Sequence, residues 1–144
     1  MKKIIAGLVC LFVLTTSCLA VGPNEKVLKS FQSTFASAKQ IKWVEYDDHF
    51  YVSFVQSNIH SNVRYDKEGN FLNCTRYYME EQLPVNIACK VKSKYADKKV
   101  FGITEVTNPE DIVYYIKMFD NKNWYSVKVD GSGQMEIVEK YRKA

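Results

Sequence analysis

The stretch Val63-Arg64-Tyr65-Asp66-Lys67-Glu68-Gly69-Asn70-Phe71 returns in outline 64 positions later as Val127-Lys128-Val129-Asp130-Gly131-Ser132-Gly133-Gln134-Met135. Apolar residues alternate in the same places on both sides of a central turn, which predicts two strands joined by a tight hairpin. The aspartate and the last glycine are identical in the two stretches, and glycine supplies the positive φ that such a turn requires. The recurrence therefore predicts two copies of one supersecondary unit.

The recurrence extends towards the N-terminus at a slightly shorter spacing. The offset is sixty through the first helical pattern and the first strand, and it becomes 64 later in each copy. The four-residue difference is absorbed where Asn108-Pro109-Glu110-Asp111 lengthens one turn. The matched positions expected in the core are Val27, Phe31, Phe35, Ile41 and Trp43 against Ile87, Val91, Tyr95, Phe101 and Ile103.

Each copy begins with a helical pattern and continues with strand patterns. In the first copy Val27, Phe31 and Phe35 form one apolar stripe, and in the second copy Pro84 stands where a helix can begin. Alternating aromatic and β-branched runs follow. The predicted fold class is α+β, with two tandem helix-plus-four-strand units, about residues 24–80 and 84–142, that share one antiparallel sheet and place both helices on one face.

The first twenty residues have the pattern of a secretory signal peptide. Lys2 and Lys3 precede the apolar run 4–14, and small residues follow, so cleavage after Ala20 would leave residues 21–144 as a single domain. The alternative is lipoprotein processing at Cys18, although the residues before it form an imperfect lipobox. We therefore expect a periplasmic or secreted protein, with a lipid-anchored form as the alternative.

The charge balance does not indicate a nucleic-acid partner. The chain has 20 Lys and Arg against 16 Asp and Glu, and two of the lysines belong to the predicted signal segment. No short stretch interleaves basic with aromatic residues in the manner of a nucleic-acid footprint.

Catalysis and metal binding are not expected either. His49 and His60 are the two histidines, both predicted next to turns, and Cys74 and Cys89 belong to no CxxC motif. We therefore predict no enzyme activity, no catalytic residues, no metal and no cofactor. Because Cys74 is three places after the core residue Phe71, it is expected on the opposite sheet face from the helix that carries Cys89, so no disulfide is predicted between them. The alternative is a β-bulge near Asn73, which would reverse the orientation of Cys74 and permit a disulfide.

Several of these features resemble the PepSY-like family of exported bacterial proteins. They are the helix ending at Phe35-Ala36-Ser37-Ala38, the alternating Tyr51-Val52-Ser53-Phe54, the turn Tyr65-Asp66-x-x-Gly69, and Leu83-Pro84 before the second helix. The family often has proline after the terminal phenylalanine of the helix, where this chain has Ala36. The resemblance implies a fold similar to the β-lactamase inhibitor protein, export, and a binding or inhibitory role.

Strand alternation predicts which side chains face away from the helices. If Phe50, Val63 and Val127 face inwards, their neighbours form an open sheet face rich in the aromatic and basic residues that interfaces favour. We expect an envelope protein or peptide to dock there; the alternative is a small ligand such as a lipid or glycan fragment. The predicted binding residues are Tyr51, Ser53, Arg64, Tyr115, Lys117, Trp124, Ser126 and Lys128.

Overall fold

The computed structural model describes residues 22–144, and the predicted signal peptide, residues 1–20, lies outside them. The helices are α1 (Glu25–Thr34) and α2 (Val85–Lys94), and a single 3-10 turn (Glu80–Gln82) precedes α2. The strands are β1 (Lys39–Glu45), β2 (His49–Gln56), β3 (Ile59–Asp66), β4 (Phe71–Tyr78), β5 (Lys99–Thr107), β6 (Ile112–Phe119), β7 (Asn123–Asp130) and β8 (Met135–Arg142).

The eight strands form one sheet in sequence order, and every neighbouring pair is antiparallel. This order follows from the short connections, because a tight turn can only join strands that run in opposite directions. The α+β class and the single antiparallel sheet are therefore confirmed. Within residues 22–144, neither helix is long and apolar enough to cross a lipid bilayer.

Helix α1 begins at a side-chain cap. The Oδ1 atom of Asn24 accepts a hydrogen bond of 3.0 Å from the backbone N–H of Val27, which satisfies one of the free donors of the first turn. The ring centroid of Phe31 lies 5.1 Å from that of Phe54 in an edge-on contact. The first core cluster comprises Val27, Phe31, Phe50, Val52, Phe54, Val63, Tyr65 and Cys74.

Helix α2 begins directly after Pro84, whose missing N–H costs nothing at that position. It buries Ile87 and Val91, the counterparts of Val27 and Phe31 in α1. The second core cluster comprises Ile59, Tyr78, Leu83, Ile87, Val91, Tyr95, Ile103, Tyr114, Ile116, Met118, Tyr125, Val127 and Val129.

The two recurring stretches form the hairpin turns β3–β4 and β7–β8. In the first, Oδ1 of Asp66 accepts hydrogen bonds from the backbone N–H groups of Glu68 and Asn70, at 2.9 and 2.8 Å. Asp130 holds the second turn in the same way. Gly69 and Gly133 have φ values of 87° and 86°, as the sequence predicted.

Two expected core residues lie at the surface because a β-bulge interrupts each strand that carries them. Ile41 in β1 and Phe101 in β5 are 44% and 59% exposed. In β5, Val100 pairs with Met118 and Gly102 with Lys117, so Phe101 is an extra residue without a partner. A bulge re-aims the side chains around it, which the offset alone does not reveal.

A further bulge corrects the predicted orientation of Cys74. In β4, Asn73 pairs with Arg64 and Phe71 with Tyr65, which leaves Leu72 as the extra residue. The side-chain alternation is shifted by one place beyond it, so Cys74 faces the first core cluster and is only 6% exposed. Both Cys74 and Cys89 are free thiols, but the prediction that Cys74 lies on the open face is wrong.

Candidate functional site

The inner face of the sheet carries the core, and the alternate side chains form the face that we call the open face. The residues predicted to point inwards are all buried: Phe50, Val52, Phe54, Val63, Tyr65, Tyr114, Ile116, Val127 and Val129. The eight predicted binding residues alternate with them and remain half-buried or exposed. The pairings Tyr51 with Arg64, Tyr115 with Lys128 and Lys117 with Ser126 place six of the eight side by side across strands.

The part of the open face on β2 to β4 holds a depression of about 300 Å³. Tyr51 and Arg64 form one side of it and Tyr77 lies opposite. Burial raises the pKa of the Tyr51 hydroxyl, with a smaller contribution from Tyr77, so this phenol stays protonated at neutral pH. It can therefore donate a hydrogen bond to an acceptor bound there. Ser53, on the same strand, pairs with Asn62 beside this depression.

The part on β4 to β7 holds a larger depression of about 500 Å³. Aromatic and sulfur-containing side chains make up much of its wall, and several are unusually exposed: Tyr77 at 46%, Met79 at 52%, Phe101 at 59% and Tyr115 at 38%. Asn58, Gln82, Thr104 and Ser126 add hydrogen-bonding groups. This combination offers apolar contact area with polar groups at its rim, as ligand sites and interface hot spots do.

Lys117 contributes a positive charge to this depression. Its Nζ atom lies 3.6 Å from Oε2 of Glu139 and 4.6 Å from the ring centroid of Tyr141. The hydrogen bond to Tyr141 is the main reason that the pKa of Lys117 is raised, and the Glu139 carboxylate adds to the effect. Lys117 is therefore held in its charged form on the open face.

Trp124 lies where the open face meets the end of the sheet. Its ring is 5.2 Å from that of Phe101 and 5.1 Å from that of Phe119. Phe101 reaches Trp124 from the bulge in β5, so the bulge assembles an aromatic group that regular alternation would not.

Tyr77 lines both depressions and was not among the predicted residues. The bulge at Leu72 places Asn73, Thr75 and Tyr77 on the open face, whereas alternation from Phe71 would place them inside. The exposed side chain of Tyr77 therefore lies between the two depressions, at the strand pair β4–β5 that joins the two halves of the sheet.

A buried polar cluster lies on the inner face at the same strand pair. Glu105 is 4% exposed, and its carboxylate accepts hydrogen bonds from Nη1 of Arg76 at 3.1 Å and from the Tyr78 hydroxyl at 2.5 Å. Burial raises the pKa of Tyr78, and the hydrogen bond to Glu105 raises it further. The cluster satisfies a charge that would otherwise be costly inside the fold.

The histidines lie apart from these groups. His49 is the first residue of β2, where Nδ1 is 2.6 Å from Oδ1 of Asp48 and the ring stacks on Tyr46. His60 is exposed on β3. Among residues 22–144, no three His, Cys, Asp or Glu side chains converge in a way that could hold a metal ion.

Comparison with known proteins gives matches in structure alone. No family profile matches the chain, and no curated protein sequence matches it. A BLIP-like protein from Bacteroides fragilis superposes with a TM-score of 0.62 at 13% identity, covering 85% of this chain and 87% of that one. A DUF2874 family protein from Bacteroides ovatus gives a TM-score of 0.60 at 17% identity, with 84% and 88% covered.

A third solved structure is described as a candidate periplasmic protein from Bacteroides eggerthii. Its TM-score is 0.58 at 15% identity, and the match covers 84% of this chain and 89% of that chain. At these identities the likeness concerns the fold alone. The described chain therefore has a BLIP-like fold.

Proposed function

We propose that this protein is an exported, non-catalytic binding protein that docks a protein or peptide partner on the open face of its sheet. The observation that carries the proposal is the pair of adjoining depressions that meet at Tyr77. Together they line the outer side of strands β2 to β7 with exposed tyrosine, methionine and phenylalanine side chains. Such residues bury large areas on binding at low cost in side-chain entropy.

The shape of the face favours a macromolecular partner. Both depressions are open to solvent and extend along the sheet, so an extended or convex surface could contact both at once. Arg64 and Lys117 stand in the two depressions and would favour acidic groups on the partner. An inhibitory role is the form of binding that the BLIP-like neighbour suggests for this chain.

A small ligand is the second candidate. The larger depression, about 500 Å³, is within the range of small-molecule sites, and it combines aromatic walls with Asn58, Gln82 and Ser126 as hydrogen-bonding groups. A lipid or glycan fragment would suit this lining. Native mass spectrometry of the protein purified from its envelope would reveal such a ligand as a discrete added mass.

Affinity capture with matched variants tests the docking proposal. The chain from Val21 would be used as bait in an envelope extract, beside the double variant Tyr77→Ala/Tyr115→Ala. We expect a partner that the unaltered chain retains and the double variant loses by at least tenfold, because two central aromatic contacts are removed. Retention of the same partner by the double variant would contradict docking at this face.

The control variant is Tyr46→Ala/Val85→Ala. Both side chains are well exposed, at 49% and 78%, and neither lines a depression, so this variant should capture the partner normally. Phe54→Ala serves as the stability comparison, because Phe54 is 1% exposed and its truncation should cost about 3–5 kcal/mol. The two surface variants should change the free energy of unfolding by less than about 1 kcal/mol.

We also propose that the fold consists of two tandem units with both helices on one face, as the PepSY-like family would have. Helix α2 begins and ends sixty residues after α1, and β7 and β8 follow β3 and β4 by 64 residues. Cys74 of the first core cluster and Tyr78 of the second lie four residues apart on β4, which supports a common face for both clusters. The export step is proposed from the sequence of residues 1–20.

A further inference from the structure

One end of the sheet gathers basic side chains from three separate parts of the chain. We call it the basic tip, and it comprises the loop before β5, the β6–β7 turn and the end of β8. The backbone N–H of Lys143 donates a 2.8 Å hydrogen bond to the carbonyl of Lys122, which ties the end of β8 to the turn. The side chains of Lys98 and Lys140 both lie over the ring of Tyr125, at 4.9 and 5.5 Å. The basic residues of the tip are Lys98, Lys99, Lys122, Lys140, Arg142 and Lys143.

The positive charge of the tip is not balanced locally. Two acidic side chains, Asp97 and Asp120, accompany the six basic side chains, whereas the other residues between 22 and 144 hold twelve basic side chains against fourteen acidic ones. Asp97 is engaged by Lys98 at 2.9 Å, and Asp120 is engaged by the Tyr125 hydroxyl and two backbone N–H groups. In the described part of the chain, the remaining five basic residues of the tip form no salt bridge.

Aromatic side chains stand directly beside these charges. Phe101 projects from its bulge and is 59% exposed, and it contacts Trp124, which in turn contacts Phe119. The Nζ atom of Lys143 lies 4.2 Å from the ring centroid of Phe119 and 5.3 Å from that of Trp124. The tip therefore presents an apolar aromatic group with ammonium groups at its edge.

We propose that the basic tip binds the surface of an anionic lipid bilayer. Lysine and arginine are attracted to anionic headgroups, and tryptophan and phenylalanine side chains insert at the boundary between headgroups and acyl chains. The charges lie on both sides of the sheet end, since Lys140 and Lys98 contact the inward-facing Tyr125 while Lys143 contacts Phe119 and Trp124 on the open face. A planar bilayer surface can contact basic groups on both sides of the sheet end at once. A groove on a protein partner would contact the groups on one side alone.

The basic tip adjoins the larger depression, whose wall includes Phe101, and shares no lining residue with the smaller depression beside Tyr51 and Arg64. A protein held by this tip would keep the smaller depression of its open face free for a partner in the envelope. The sequence did not indicate the tip, because its basic residues come from segments about twenty residues apart and no single stretch is rich in them.

Vesicle partitioning tests the proposal without any partner protein. The chain from Val21, which contains every described element, would be mixed with phosphatidylcholine vesicles with and without phosphatidylglycerol. We expect co-sedimentation with the anionic vesicles alone, weakening as salt is raised. In a Trp43→Phe variant, which leaves Trp124 as the single tryptophan, the emission should shift to shorter wavelength on binding.

Two triple variants make the test specific to the tip. Lys99→Ala/Lys122→Ala/Lys143→Ala should lower the partition coefficient about a hundredfold, because each lysine near a charged surface contributes about fivefold. Lys29→Ala/Lys39→Ala/Lys42→Ala removes the same charge from exposed positions in the first half and should lower it far less. Unfolding curves of the two variants should match, which separates loss of binding from loss of fold.

Three results would overturn the proposal. One is equal loss of partitioning in both triple variants, which would mean that only the total charge matters. Another is equal binding to vesicles without phosphatidylglycerol. The third is binding to soluble polyglutamate with no partitioning into anionic vesicles, which would indicate an acidic polymer as the ligand of the tip.

Discussion

Arg76 of β4 and Glu105 of β5 face each other across the strand pair that joins the two halves of the sheet. Nη1 of Arg76 lies 3.1 Å from Oε1 of Glu105, and the carboxylate is 4% exposed while the arginine side chain is 38% exposed. The Tyr78 hydroxyl binds the second carboxylate oxygen. The charge of Glu105 is thus neutralised by a partner that still touches solvent, at the point where the two core clusters meet.

Replacing Arg76 alone should lower the free energy of unfolding more than replacing both charged residues of the pair. Arg76→Met leaves a buried, unpaired carboxylate and should cost about 2 kcal/mol, less than for a fully buried pair because Arg76 is partly exposed. Adding Glu105→Gln to that variant should restore about half of the loss, since glutamine keeps the bond from Tyr78 without the charge. Urea unfolding of the single and double variants measures this coupling.

The surface pair Lys92–Glu80 serves as the comparison for these variants. Nζ of Lys92 lies 3.1 Å from Oε1 of Glu80, and the lysine side chain is 69% exposed. Lys92→Met should change the free energy of unfolding by less than about 0.5 kcal/mol. If Arg76→Met proves equally mild, Glu105 is not held as a buried charge.

The two hairpin glycines should differ in their tolerance of alanine. Both have positive φ, so each substitution strains the backbone, but a Cβ at Gly69 would also lie 3.0 Å from the backbone carbonyl group of Lys26 in α1. At Gly133 the obstacle is the flexible Lys90 side chain, which can move away. We expect Gly69→Ala to cost about 2–3 kcal/mol and Gly133→Ala about 1 kcal/mol, measured by chemical unfolding.

Gly102 provides the control for the two hairpin positions. A Cβ there meets nothing within 4 Å, and its φ is not positive. Gly102→Ala should therefore be neutral or slightly stabilising. Equal losses at Gly69 and Gly133 would contradict the role assigned to the contact with α1.

Stability in acid should depend on Asp120. The Tyr125 hydroxyl donates a 2.6 Å hydrogen bond to its carboxylate, and with the backbone N–H groups of Lys122 and Asn123 it lowers the pKa of Asp120 to about 2. Because the folded-state pKa lies below the ordinary value of 3.8, the stabilisation is present above about pH 4 and is lost as the pH falls towards 2.

An Asp120→Asn variant should accordingly be less stable than the unaltered protein at pH 7 and should lose less on acidification from pH 4 to pH 2. Thermal unfolding across this range measures the difference. Asp47→Asn, in the exposed turn before β2, is the control and should leave the acid profile unchanged. If the stability of Asp120→Asn falls with pH in parallel with that of the unaltered protein, these hydrogen bonds do not form in solution.

The sequence predicted the elements that depend on local and periodic signals. Local and recurring sequence patterns predict the turn residues Asp66 and Gly69, the helix start at Pro84 and the inward-facing residues from Phe50 to Val129. Most of the open face was therefore predicted from strand alternation alone.

The features that the sequence did not predict are those decided between strands. The bulges at Leu72 and Phe101 depend on how each strand twists against its neighbour, and neither residue type specifies a bulge. Tyr77 was missed for this reason, since it lies beyond Leu72. The basic tip was missed because its lysines come together only when the chain is folded.

The register of β4 can be tested through its cysteine. With the bulge at Leu72, Cys74 lies in the first core cluster, and burial raises the pKa of its thiol to about 11. The thiolate is the reactive form, so Cys74 should be inert to a thiol reagent in the folded protein at neutral pH. Cys89, exposed on α2, should react at once.

Thiol titration of the unreduced chain from Val21 should therefore count one fast thiol in the folded state and two after unfolding. Cys74→Ser and Cys89→Ser variants assign each reaction, because only Cys89→Ser should lose the fast one. Rapid reaction of Cys74 in the folded protein would indicate that its side chain lies on the open face and that β4 has no bulge. In that case Tyr77 would point inwards. Finding no thiols in an unfolded, unreduced monomer would instead mean that Cys74 and Cys89 approach within the distance of about 7 Å that a disulfide requires.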